Sequence, residues 1–269
     1  MQESAKLPTI QSLGNDLLYT SFNQKCWTLA RPFVGLALFG LLYYLNLWYL
    51  LPLIVFYIFV AVVTSTHDVV HASLGLTKKQ TEIWLFILGA ILLESGHAYR
   101  LTHLNHHKKF PSDDDPEGEP AKVSTWKAIL IGPTFIFKLY FWALKNAQND
   151  TKQYYWIIAE GMWFIAVLLL SVITFNFTPV LLVYALLVLV GSWVYPLLTV
   201  HLPHYKFGLT PITQTRSLKG KIIPLIFLEL TYHLEHHLYP QVPSHHLKLL
   251  SKKLNPWIEN QGAKYWHVL

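Results

Sequence analysis

Three histidine groups dominate the chemistry open to this chain: His67-Asp68-Val69-Val70-His71, His103-Leu104-Asn105-His106-His107 and His233-Leu234-Glu235-His236-His237. Helix positions three and four residues apart share a face. His67 with His71, and His103 with His106 and His107, are therefore expected to point at one centre, and the third group repeats the HxxHH spacing of the second. These eight imidazoles exceed the four ligands of one tetrahedral zinc and suit a pair of metal ions. Histidines at a membrane interface also serve as plain amphipathic polar groups. That reading covers His97, His245, His246 and His267, which stand outside the repeats, but no packing rule asks for HxxHH twice. Cys26 is the only cysteine, so no internal disulfide or thiolate site is open to the chain, and a metal must be held by nitrogen or oxygen.

The elements that position these histidines are apolar. Hydrophobic residues make up 53% of the 269 and charged ones 13%, with a mean hydropathy of +0.33. That is greasier than a soluble domain and predicts a membrane protein. Spanning the hydrocarbon core takes about 20 apolar residues. Pro32 to Thr66, broken around Asn46, and Tyr155 to Val200, broken at Asn176 and Pro179, are each long enough to cross twice. Four transmembrane helices in two hairpins, about 32–66 and 155–200, are predicted, in an all-α fold with a histidine-rich helical cap. Ile83 to Leu93, Ala128 to Leu144 and Ile222 to Leu230 are shorter and interrupted, and read as interfacial or half-buried helices. Apolar blocks bracket the histidine stretches, so 1–269 is read as a single domain.

All 21 lysines and arginines fall in the stretch up to and including Arg31, from Lys78 to Lys152, or from Lys206 to Lys264, and neither hairpin tip carries one. Cations are enriched in loops kept on the cytoplasmic side. Both termini and all fourteen histidines are therefore expected there. The same orientation accounts for the net charge of +6 without nucleic-acid binding. Residues 1–23 lack a basic start, an apolar core and a small-residue cleavage pattern, so no cleaved signal peptide is expected.

From about Pro32 to His246 the chain resembles the membrane fatty acid desaturase and hydroxylase superfamily, in which three histidine boxes in this order bind two irons. Within it, HDVVH, RLTHLNHHKKFPSDDDP, HLPHYKF and YHLEHHLYPQVP are most similar to the carotenoid β-ring hydroxylases, with ring ketolases next. The resemblance implies iron ligation by His67, His71, His103, His106, His107, His204, His233, His236 and His237. His204 matches the Leu-Pro-His position; His201, three residues earlier, is the alternative ligand or an outer partner.

Among the acidic residues, Asp68 is placed to accept an imidazole N–H, as carboxylates behind metal-bound histidines do, and Glu235 lies off the ligand face in a similar supporting position. Asp113-Asp114-Asp115 reads as a solvated loop, and Arg100 and Lys108 as residues that orient carboxylates or dock an acidic electron donor. The resemblance implies O2-dependent hydroxylation of a carotenoid ring drawn from the bilayer, with two iron ions and electrons from a separate ferredoxin-like donor. A fatty acyl desaturase is the runner-up, and a ring ketolase differs only in the carbon oxidised. A metal transporter or sensor would carry its ligands near the bilayer midplane rather than at helix ends. Trp193, Tyr195 and Phe227 are candidate walls of a substrate tunnel.

Overall fold

A computed structural model describes residues 6–262 and 265–267. After the short α1 (Ile10–Leu13), the chain forms α2 (Phe22–Tyr44), α3 (Leu51–Val70), α4 (Lys78–Leu92) and α5 (Gly96–Lys109). It continues as α6 (Thr125–Leu130), α7 (Gly132–Asn146), α8 (Thr151–Thr174) and α9 (Val180–Ser192). The last part holds α10 (Leu202–His204), α11 (Ile222–Ile226), α12 (His233–Leu238) and α13 (Leu247–Asn260). Apart from one two-residue parallel strand pairing of Leu218–Lys219 with Trp266–His267, regular structure among the described residues is helical.

Four helices are long and apolar enough to cross a membrane: Phe22–Tyr44, Trp48–Val70, Thr151–Thr174 and Val180–His204. The first begins ten residues before the expected Pro32, because Ser21 and Gln24 close a capping box at its start. α2 packs along α3 and α8 along α9, and α3 lies against α9. α3 is the most enclosed span, with Ile58 and Ala61 fully buried.

A proline inside α2 shows how a spanning helix tolerates a missing donor. Pro32 has no N–H, which frees the carbonyl of Thr28 one turn earlier. In a membrane that carbonyl needs another partner. The Ser65 hydroxyl on α3 donates to it at 2.6 Å, tying the two spans together.

α4, whose Ile83–Leu93 stretch reads as an interfacial or half-buried helix, is paired with α5. They meet at a 103° bend over three residues and together have the length and composition of a broken span or re-entrant loop. Leu93 caps α4 in the left-handed conformation, at φ 56°. The fold back is tight enough that a Cβ on Gly89 would lie 2.7 Å from the Glu94 carbonyl oxygen, and one on Gly96 would meet the Leu85 backbone. Glycine is required at both positions. The bend sends α5 across the bundle, so His103, His106 and His107 reach the end of α3 that carries His67.

The last span carries a second irregularity. α9 runs through a π-helical stretch, Pro196–His201, into α10. π-turns add a residue per turn and change which side chains share a face. His201 closes that stretch and His204 ends α10, and the two face different surroundings.

The Ser65 bond predicts a measurable coupling. Ser65→Ala should lower stability by about 1–3 kcal/mol by leaving the Thr28 carbonyl unpaired. In a Pro32→Ala background, where the backbone supplies its own donor, the loss should largely vanish. Thermal unfolding of the four proteins in detergent measures it, and equal losses in both backgrounds would refute it.

Candidate metal centre

The described residues contain two groups of four histidines whose ligand nitrogens lie within 4.8 Å of one another: His67, His71, His103 and His236, and His106, His204, His233 and His237. In the second group, the Nε2 of His204 is 3.2 Å from that of His106 and 3.1 Å from that of His233, which is 3.0 Å from that of His237. In the first, the Nε2 atoms of His67 and His236 are 2.9 Å apart. Nitrogens bonded at roughly 2.0–2.1 Å to a common ion end about 3 Å from one another.

His107 belongs to neither group but sits between them. Its Nε2 is 2.8 Å from that of His236 and 3.2 Å from that of His103, and its ring lies against that of His237, centroids 4.4 Å apart. Eight of the nine histidines implied by the resemblance thus gather in two groups, and the ninth borders both.

Each group draws on distant parts of the chain: α3, α5 and α12 supply the first, and α5, α10 and α12 the second. α5 and α12 contribute to both because HxxHH presents histidines to both sides. His103 and His236 face one group while His106 with His233 and His237 face the other.

Carboxylates and carbonyls fix the rings from behind. His103 Nδ1–H donates to Glu117 at 3.1 Å, His106 Nδ1–H to Asp115 at 2.7 Å and His204 Nδ1–H to the Gln214 carbonyl at 2.8 Å. With the proton held on Nδ1, the Nε2 lone pair points inward, as metal ligation requires. Asp115 therefore differs from the solvated loop residue expected of its run: it is 2% exposed and spent on His106. Asp113 and Asp114 do remain exposed. Glu117, which the sequence reading passed over, is buried, and burial lifts its carboxyl to about 7. The available signal was spacing alone, Asp-Pro-Glu at a fixed distance after the second box.

The other expected partners lie elsewhere. Asp68 accepts from the Ser244 amide and hydroxyl at 2.9 and 2.6 Å, and its nearest approach to His67 is 3.7 Å. It pins the segment after α12 to α3 rather than bonding a ring. Glu235 accepts from Ser217 and lies 3.7 Å from Lys219, also away from the rings. Both nitrogens of His201 are used: Nδ1–H donates to Pro120 O at 2.8 Å and Nε2 accepts from Thr125 at 3.0 Å. His201 thus props the loop that carries Asp115 and Glu117, and is outside both groups. His97 is not interfacial but fully buried, 2.7 Å from Glu160 and stacked on Trp156. The side chain of His267 lies outside the described residues.

The donor set fits two metal ions. Burial first, then neighbouring imidazoles, lowers the His71 ring to about 3 and holds His236, His237 and His233 well below the ordinary histidine range. Neutral rings are ligands at physiological pH. His71 Nε2 is buried with no hydrogen-bond partner, an arrangement that is costly without an ion to receive it.

Beside the groups is an apolar cavity of about 300 Å³. Five of the histidines line it, opposite Phe59, Val63, Tyr195, Leu198 and Phe227. Of the suggested wall residues, Tyr195 and Phe227 are present, whereas Trp193 is 44% exposed and outside it.

Iron-loaded protein is expected to carry two metal ions per chain by elemental analysis, and Asp115→Asn to weaken metal retention by about 10- to 100-fold against a chelator. A single ion per chain, or wild-type retention in that variant, would contradict the arrangement. Among curated proteins, no match to the chain is found. The family model for fatty acid desaturase matches residues 44–269, a stretch that includes all four histidine segments. With buried histidine groups at the ends of apolar spans and this match over most of its length, the chain belongs to the fatty acid desaturase family.

Proposed function

We propose that this protein is an O2-dependent di-iron membrane oxygenase that hydroxylates the β-ring of a carotenoid taken from the bilayer. The observation that carries the reading is the apolar cavity opening directly onto both histidine groups. Its wall of aromatic and aliphatic side chains suits an uncharged hydrocarbon end rather than a polar substrate. His67, His71, His103 and His236 would hold one iron and His106, His204, His233 and His237 the other, with His107 beside both. Irons held there would supply the oxidant, using O2 and two electrons from a ferredoxin-like donor.

The chain's own residues do the rest. Phe59, Val63 and Leu198 exclude water around the C–H bond to be attacked. Asp115 and Glu117 keep protons on the outer nitrogens of His106 and His103, so the inner ones remain free. His71, His107, His233 and His237 are the partly exposed residues of the two groups and their border, and give the donor its nearest edge.

A second reading, fatty acyl desaturation, has its own support. The family match is one part of it. The other is Arg216, which lines the same cavity and stacks on Trp266, 4.4 Å from the ring centre. A guanidinium there suits an acyl head group bearing negative charge.

Cells that make β-carotene and express the chain should accumulate ring-hydroxylated pigment. Unchanged carotenoids with new double bonds in cellular acyl chains would overturn the assignment in favour of the desaturase, and a ring ketone would identify a ketolase. The absence of lysine and arginine around Asn46 and Asn176 supports an orientation with both termini and the metal site on the cytoplasmic side. A reporter fused after Leu269 should be active only on that side, and external labelling would refute it.

A further inference from the structure

Behind the metal cavity, and sharing Tyr99 and Tyr195 as a common wall, lies a second cavity of about 420 Å³ between α5, α7, α8 and α9. Its lining is mainly Leu93, Ile136, Phe137, Phe164 and Ile165, and it contains no lysine or arginine. Where it meets the α4–α5 bend it presents Glu94, which also lines two smaller cavities, one beside Val62 and Val63 of α3 and one beside Val55 and Phe59.

Glu94 is an unexplained group. Its Oε1 is sealed from solvent and has no hydrogen-bond partner among the described residues. The backbone holds it in place: the Glu94 N–H donates a hydrogen bond to the Gly89 carbonyl at 2.9 Å. Several other polar side chains around the cavity are spent within the protein. Ser95 donates to Glu160, which also takes His97; Tyr140 donates to the Ile157 carbonyl, Thr102 to that of Ala98 and Ser192 to that of Leu189. A carboxyl group among spanning helices, with no cation beside it, is costly and marks a functional position. It is not one of the histidine supports, which are Asp115 and Glu117.

We propose that this second cavity is a binding site for a lipid alcohol, with Glu94 hydrogen bonding the hydroxyl. The lining selects the class. A phosphate or carboxylate head would find no counter-charge, and a plain hydrocarbon would leave Oε1 unpaired. A hydroxyl both donates and accepts, which matches a neutral carboxyl group. Where the ring-hydroxylase reading holds, the alcohol is the product of the neighbouring metal cavity, received on the far side of Tyr99 and Tyr195; the natural ligand's identity rests on that reading, but the site does not.

The test uses the full chain in lipid nanodiscs and two photoactivatable probes of equal length, a C16 diazirine alcohol and the C16 diazirine alkane. The alcohol should label peptides of α7 and α8 about five- to tenfold more than the alkane. Glu94→Leu should remove that excess, and Glu94→Gln should keep part of it. Ile136→Trp, which fills the cavity without touching Glu94, should abolish labelling by both probes. Equal labelling by the two probes in the wild type, or an undiminished alcohol excess in Glu94→Leu, overturns the proposal. No turnover is needed, so alcohol-selective labelling in a protein that fails the pigment assay would uphold the site while the reaction assignment falls.

Discussion

Eight imidazole rings converge on a small buried volume, and the rest of the molecule is arranged around that crowding. Neighbouring nitrogens stand about 3 Å apart with few other partners, as in His67 with His236 or His204 with His233. Buried polar groups normally find hydrogen bonds, and rings whose inner nitrogens face one another do so poorly. A cation between them satisfies all of them together. Holding the rings there without it demands rigid support. That support comes from the buried α3, from the bend between α4 and α5, and from Asp68, which binds the segment after α12 to α3.

Much of this was legible in the sequence, for identifiable reasons. Helical spacing alone grouped His67 with His71 and set the HxxHH pattern, since ligands on one helix face follow from 3.6 residues per turn. Apolar length located four spans. What escaped was everything that depends on where the chain turns back. The 103° bend at Leu93–Ser95 carries neither proline nor a glycine at its left-handed residue, and Gly89 and Gly96, which the fold back requires, mark a break without fixing its angle. The π-helical stretch before His204 was hidden too, because it is a matter of backbone winding rather than composition.

Acidic residues were the hardest to read. Asp68 and Glu235 sit inside the histidine boxes and looked like natural partners of the rings, yet adjacent residues on a helix point about 100° apart, which turns each toward a different neighbour. Asp115 and Glu117 approach His106 and His103 only because the loop after α5 folds back beneath it, propped by His201 through Pro120 and Thr125. Among three consecutive aspartates, the buried one was indistinguishable by type from its exposed neighbours. Tertiary closure, not residue identity, separates them.

That loop has a wider consequence. Asp115 grips a histidine of one group and Glu117 a histidine of the other, with a single proline between them. The two halves of the centre are thereby yoked to one rigid piece of backbone, as two dials are set by one shaft. A displacement of Pro116 would rotate His106 and His103 together, and ordering one half tends to order the other. The loop acts as a common gauge for both halves, lying outside the helices that anchor the protein in its membrane.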